Sequence, residues 1–135
     1  MLFRSCVVFS AACYDPLGMA NGSISNGQIT ASSQKIGKDK SFKAEYGRLN
    51  NKPSGAMGGA WCAQSSDKFQ YLQIDLNKEM TLSGVATQGQ IDAPNWVVKY
   101  SIQHSTDGTN WKDYKEFGHD RVSVERLEMV GSKFG

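Results

Sequence analysis

Hydrophobic and polar residues alternate one by one through the middle of the chain, the pattern of strands with one buried face. In residues 71–76, Leu72, Ile74 and Leu76 fall on one side and Tyr71, Gln73 and Asp75 on the other, so the first three are expected in the core. Residues 96–105 alternate likewise, with Trp96, Val98, Tyr100, Ile102 and His104 as the expected core face and Val97, Lys99, Ser101, Gln103 and Ser105 facing outward. Thr106-Asp107-Gly108-Thr109 follows, an Asp-Gly turn suited to a tight hairpin, and residues 110–114 begin the return strand. Residues 28–33 and 82–88 supply further strands. No apolar stripe of helical period, about 10–15 residues long, separates these segments, which argues against a parallel α/β sheet. The expected fold class is all-β, a jelly-roll β-sandwich or barrel.

Three polar stretches interrupt the strands. Residues 34–48 are basic and read as a long loop, residues 50–59 are rich in Gly and turn formers, and residues 90–95 form a third loop. Ordered loops on a rigid β scaffold are where recognition usually sits. In the tail, residues 118–135, Val122 and Val124 suit a strand, while residues 126–130 suit a short helix equally well.

With 135 residues, 39% of them hydrophobic, the chain has room for one domain with a real core. The expected division is a leader or weak signal segment over 1–12, a domain over 13–117 and a divergent tail over 118–135. Residues 1–12 carry one positive charge, a short apolar stretch and small residues before Cys13, which fits a short secretory signal or a disordered leader. Lys and Arg number 15 against 13 Asp and Glu, and a net charge of +2 is too small for a general nucleic-acid binder. No apolar run approaches the roughly 18–20 residues of a membrane-spanning helix.

The motifs of enzymes are missing. His104 alternates with core positions and His119 lies in the tail; there is no His-Glu-x-x-His, no Cys and His cluster and no nucleophile elbow. Asp75, Asp92, Asp107 and Asp113 form no close pair in sequence. No catalytic residue, metal site or cofactor is expected. Asn21-Gly22-Ser23 is an N-glycosylation acceptor triplet in a turn-forming context, which makes Asn21 a glycosylation candidate.

Several separate motifs occur in a characteristic order. Pro16-Leu17-Gly18-Met19 is followed by Gln28-Ile29-Thr30-Ala31-Ser32-Ser33, Arg48-Leu49-Asn50 and Gly59-Ala60-Trp61-Cys62. Then come the Leu72-Gln73-Ile74-Asp75-Leu76 strand, residues 85–89 and residues 96–105 with Asp107, Gly108 and Trp111. Over residues 13–117 the chain resembles the discoidin domain, also called the coagulation factor 5/8 type C domain. The resemblance implies a galactose-binding-domain-like jelly roll, with a C-terminal end that is incomplete or divergent because the family's Arg-rich closing strands and final cysteine are missing. It also implies an extracellular, non-catalytic module. In the family a cysteine at the Cys13 position usually bonds to one at the end of the domain, and the Gly-Ala-Trp-Cys form often bonds its cysteine near the C-terminus. This chain has neither partner, so the disulfide candidates Cys13 and Cys62 are open to pairing with each other or with cysteines outside these 135 residues.

The resemblance further implies that a ligand is held by loops at one end of the barrel. Candidate contacts are Lys35, Ile36, Lys38, Lys40, Phe42 and Lys43 in the first loop, Met57 in the second, and Asp92 and Asn95 in the third. Lys35, Lys38, Lys40, Lys43 and Arg48 outnumber Asp39 and Glu45, and a basic patch with an apolar tip suits an anionic lipid, a sulfated glycan or an acidic protein surface. Ordinary solvated lysines are the bland alternative. Arg48 is expected to be structural, and Trp61, Trp96 and Trp111 to be core anchors. The expected function is adhesion or binding of a cell-surface or matrix protein, glycan or anionic phospholipid, with peripheral membrane contact possible and no nucleic acid. The alternatives are a carbohydrate-binding lectin-type module and a truncated, non-functional product.

Overall fold

The structure, a computed structural model, describes residues 2–5, 15–115 and 122–134. Among the described residues there are nine strands: β1 (Leu2–Ser5), β2 (Asp15–Pro16), β3 (Ile29–Ala31), β4 (Lys35–Ile36), β5 (Ser41–Phe42), β6 (Gln70–Ala86), β7 (Val97–Ser105), β8 (Lys112–Asp113) and β9 (Val122–Phe134). Two single 3-10 turns, Asn26–Gln28 and Ala44–Tyr46, complete the regular structure. The main sheet runs β2-β1-β6-β9-β7-β8, with β3 also on β6, and β4 pairs with β5 in a small separate hairpin. All of these pairings are antiparallel.

The tail resolves as a strand: β9 lies between β6 and β7, pairing Ile74 with Leu127 and Ile102 with Met129. Residues 2–5, within the expected leader, pair with β6 through Leu2 opposite Ala86. The expected hairpin forms, with Gln103 opposite Asp113 and His104 opposite Lys112.

β6 merges two segments that the sequence separates, and it cannot be straight. Leu72 and Thr87 line one cavity, yet fifteen residues of extended strand span roughly 50 Å. The pairing of β6 with β9 breaks between Asp75 and Met80, and Asn77 there takes a left-handed φ of 61°. Asn tolerates that conformation, and the Asn77 N–H donates to the Asp75 carboxylate at 2.8 Å, fixing the bend.

Leu72, Ile74 and Leu76 are buried, as their alternation predicts, and are joined by Met19, Ile24, Ile29, Ala44 and Leu82. On β7 the expected core face divides along its length. Ile102 packs against the cluster, whereas Trp96, Val98 and Tyr100 share its parity but reach past the core and are 56%, 53% and 37% exposed. Trp96 is therefore not a core anchor: it precedes the first paired residue, Val97, at the end of a loop. Ser105, expected outward, is buried instead, because the strand ends there and its hydroxyl takes the Asp107 and Gly108 N–H groups at 3.2 and 2.9 Å.

The Asp107 carboxylate accepts the N–H groups of Thr109 and Asn110, both at 2.8 Å, and the Asn110 side chain at 2.6 Å. These bonds, the Asn110 backbone N–H first, hold its pKa far below the usual carboxylate value of 3.8. A depressed folded-state pKa gives stability that is present above the unfolded value and lost as pH falls through the folded one. Asp107→Asn is accordingly expected to destabilise the chain at pH 7, with the difference from wild type shrinking below about pH 4 in urea titrations. Ile74→Ala, at a position with 0% exposure, is expected to cost about 2–5 kcal/mol by the same measurement.

Candidate functional site

The Gln-Ile-Thr-Ala-Ser-Ser motif is a set of ties to β6. Gln28 donates its side-chain amide to the Asp75 carbonyl at 2.8 Å, and Ile29 is buried. The Ser32 hydroxyl accepts the Tyr71 N–H at 2.9 Å and donates to the side-chain oxygen Oε1 of buried Gln70 at 2.9 Å. Ser33 donates to the same oxygen, and Gln70 donates to both Asp67 oxygens, at 3.0 and 3.1 Å. Ser33 also receives the Trp61 indole N–H at its carbonyl, at 2.9 Å, and the Gln64 N–H at its hydroxyl, at 3.0 Å.

Gly-Ala-Trp-Cys is the matching clamp. Gly59 has a φ of +72°, and a side chain there would place its Cβ 2.5 Å from the Pro53 nitrogen, so glycine is required. Cys62 bonds the β4–β5 hairpin from both sides: its carbonyl accepts the Lys35 N–H at 2.8 Å and its N–H donates to the Phe42 carbonyl at 3.3 Å. Among the described residues the Cys62 thiol has no disulfide partner, and burial pushes its pKa up against the opposing influence of Lys35. Cys13 lies outside the described residues, and with it any bridge between the two.

The hairpin replaces the expected long loop and gathers the other two loops around it. Residues 52–58 lie along β5, with the Ser41 N–H donating to the Ala56 carbonyl and the Gly58 N–H to the Ser41 carbonyl, both at 2.8 Å. Residues 90–95 close on themselves through the Gln90 N–H to the Asn95 carbonyl, 2.9 Å, and the Asn95 amide to the Gln90 side chain, 3.0 Å. Lys40 Nζ then reaches Asp92 Oδ2 at 3.1 Å and joins the first loop to the third. The Asp92 carboxyl is held below its usual pKa, first by the Gln90 side chain and then by Lys40. The pair is partly exposed, so it fastens the loops weakly and loosens with salt.

Lys35, Ile36 and Lys38 are exposed, and Ile36, at 57%, is the apolar tip of the hairpin. Phe42 does not share that role: it is half-buried, with its ring so close over Gly58 that no side chain would fit there. Lys43 and Met57 are half-buried as well. Asn95 is exposed, with its side chain spent on Gln90 within its own loop.

A cavity of about 470 Å³ opens beside the loops, and Lys35 and Asn95 are the candidate contacts that line it. Trp61 and Trp96 form part of its wall, with the side-chain amides of Asn51, Gln88 and Gln90. Sequence locates the segments that hold these residues but does not single them out as contacts, because an uncharged amide stands out neither by charge nor by hydrophobic pattern. Gln88, which accepts the Asn50 N–H at 2.8 Å, stands between a strand and Gly89 and could have been picked out there. Arg48 also lines the cavity, but its guanidinium donates to the Met19 carbonyl at 2.9 Å and to Asn26 at 2.7 Å, in keeping with a structural role. Among the described residues no group of three or more His, Cys, Asp or Glu could hold a metal ion, and no helix is long and apolar enough to cross a membrane.

An antiparallel all-β scaffold with its loops gathered beside one cleft has the architecture of the galactose-binding-like jelly-roll modules. The chain belongs to the F5/8 type C domain family, whose pattern it matches over residues 28–131, beyond the point where motif-by-motif resemblance ends. It is 41% identical to mouse (Mus musculus) retinoschisin over 113 residues, covering 81% of this chain and 49% of that protein. It is 38% identical to rat (Rattus norvegicus) lactadherin over 126 residues, covering 90% of this chain and 29% of that protein. The chain thus spans about half the length of retinoschisin and less of lactadherin. The structure of wild-type discoidin II from Dictyostelium discoideum superposes with a TM-score of 0.57 at 15% identity, covering 79% of this chain and 49% of that one, and so shares its fold.

Trp96→Ala removes a side chain that is 56% exposed at the cavity wall, so its folding stability is expected to stay within about 0.5 kcal/mol of wild type. A loss of several kcal/mol in chemical denaturation would return Trp96 to the core.

Proposed function

We propose that this chain is a non-catalytic, extracellular recognition module that binds an anionic cell-surface or matrix ligand through its gathered loops. The observation that carries the reading is the joining of the basic hairpin to residues 90–95 by Lys40 and Asp92, with Lys35, Lys38, Ile36 and Ile91 exposed around the junction. Cations beside apolar tips match a surface that is charged at its face and apolar beneath, such as an anionic phospholipid layer. Each lysine near such a surface contributes roughly 1 kcal/mol, and the contribution falls with ionic strength. A sulfated glycan or acidic protein would engage the same cations without using Ile36 and Ile91.

The cavity favours a second reading, a lectin-type module. Trp96, 56% exposed, lines the cavity with polar residues such as Asn51 and Gln88 and offers a sugar an apolar face beside a polar wall.

Sedimentation with phosphatidylserine-containing and phosphatidylcholine-only vesicles separates the two. Salt-sensitive binding to the former alone is expected, and Lys38→Glu with Lys40→Glu should weaken it at least about tenfold. Unchanged binding in the double variant would remove the basic hairpin from the mechanism. Binding abolished by free sugar, with no vesicle response, would favour the lectin.

A further inference from the structure

We infer that Asn21 is an N-glycan attachment site on the surface turn formed by residues 18–24. Of the seven asparagines in the chain, Asn21 is the only one followed two residues on by Ser or Thr, so one modification accounts for any N-linked mass. The triplet sits on a built turn. Met19 and Ile24 are buried at its two ends, and the Gly18 carbonyl accepts the Gly22 and Ile24 N–H groups at 3.0 and 3.2 Å. Between these anchors Asn21, Gly22 and Ser23 are all exposed. Gly22 has a φ of +84°, and a Cβ built there meets nothing within 4 Å, so the turn projects into open space.

The turn also orients the acceptor. Asn21 Oδ1 takes the Ser23 N–H at 3.0 Å, which closes the triplet on itself. With the oxygen engaged, Nδ2 donates no hydrogen bond among the described residues. The donor is a polyprenyl pyrophosphate-linked oligosaccharide. Asn21 Nδ2 attacks its anomeric carbon, the C–N bond forms as the glycosyl C–O bond to pyrophosphate breaks, the polyprenyl pyrophosphate leaves, and the amide proton passes to a base of the transferase. The hydroxyl of Ser23 completes the acceptor triplet. The inference rests on the proposed extracellular setting only in requiring passage through the secretory lumen.

The test is in vitro translation of the full chain behind a cleavable secretory leader with microsomes, which needs neither ligand binding nor secretion. A control sequon fused at the C-terminus reports translocation. Wild type is expected to carry one glycan more than the control alone, sensitive to peptide N-glycosidase. That glycan should vanish in Asn21→Gln and Ser23→Ala and persist in Ser23→Thr. Enzymatic release in ¹⁸O water marks Asn21 and separates release from spontaneous deamidation at Asn21-Gly22. A translocated wild-type chain bearing the control glycan alone overturns the site, as does an additional glycan that survives Asn21→Gln. Neither result bears on vesicle or sugar binding, so failure here is distinct from failure of the proposed function.

Discussion

Gln70 is 8% exposed, so its carboxamide must be satisfied inside the protein, and the groups that satisfy it join the main sheet to the loops. Ser32 and Ser33 donate to its oxygen and Asp67 accepts from its nitrogen. The same Ser33 carries Trp61 on its carbonyl, and Cys62, next in the chain, holds both strands of the small hairpin. Two motifs about thirty residues apart in sequence thus converge on one buried polar group. Removing one partner from such a network strands the others, typically at about 1–3 kcal/mol each.

That convergence explains why the most recognisable residues are the least available for recognition. Gln28, Ser32, Ser33, Gly59 and Trp61 spend their hydrogen bonds or conformational freedom on positioning. Free chemistry is left at the hairpin tip and around the cavity, where Lys35, Ile36, Lys38, Ile91 and Trp96 are exposed. The Lys40–Asp92 pair links the hairpin to the third loop weakly.

How much was legible in sequence follows from the range of the interactions. Alternation at Leu72, Ile74 and Leu76 reports burial against close neighbours and identified the core of β6; the Asp107-Gly108 turn identified its hairpin. Alternation reports parity but not how far a core extends, so Trp96, Val98 and Tyr100 were placed on the right face with the wrong burial. The place of β9 between β6 and β7 depends on pairings across roughly 20 to 60 residues, for which local pattern carries no signal. At the site, charge drew attention to the lysines, whereas Asn51, Gln88 and Gln90 came to the cavity only through the fold.

If the Gln70 network positions the loops, its removal should loosen them while sparing the distant hairpin. Amide hydrogen exchange in wild type and Gln70→Leu measures this directly. The account predicts faster exchange at Lys35 and Cys62, whose N–H groups bond Cys62 and Phe42, with no change at Tyr114, whose N–H bonds Ile102 at 2.7 Å. Unchanged exchange at Lys35 and Cys62, or an equal acceleration at Tyr114, would contradict it.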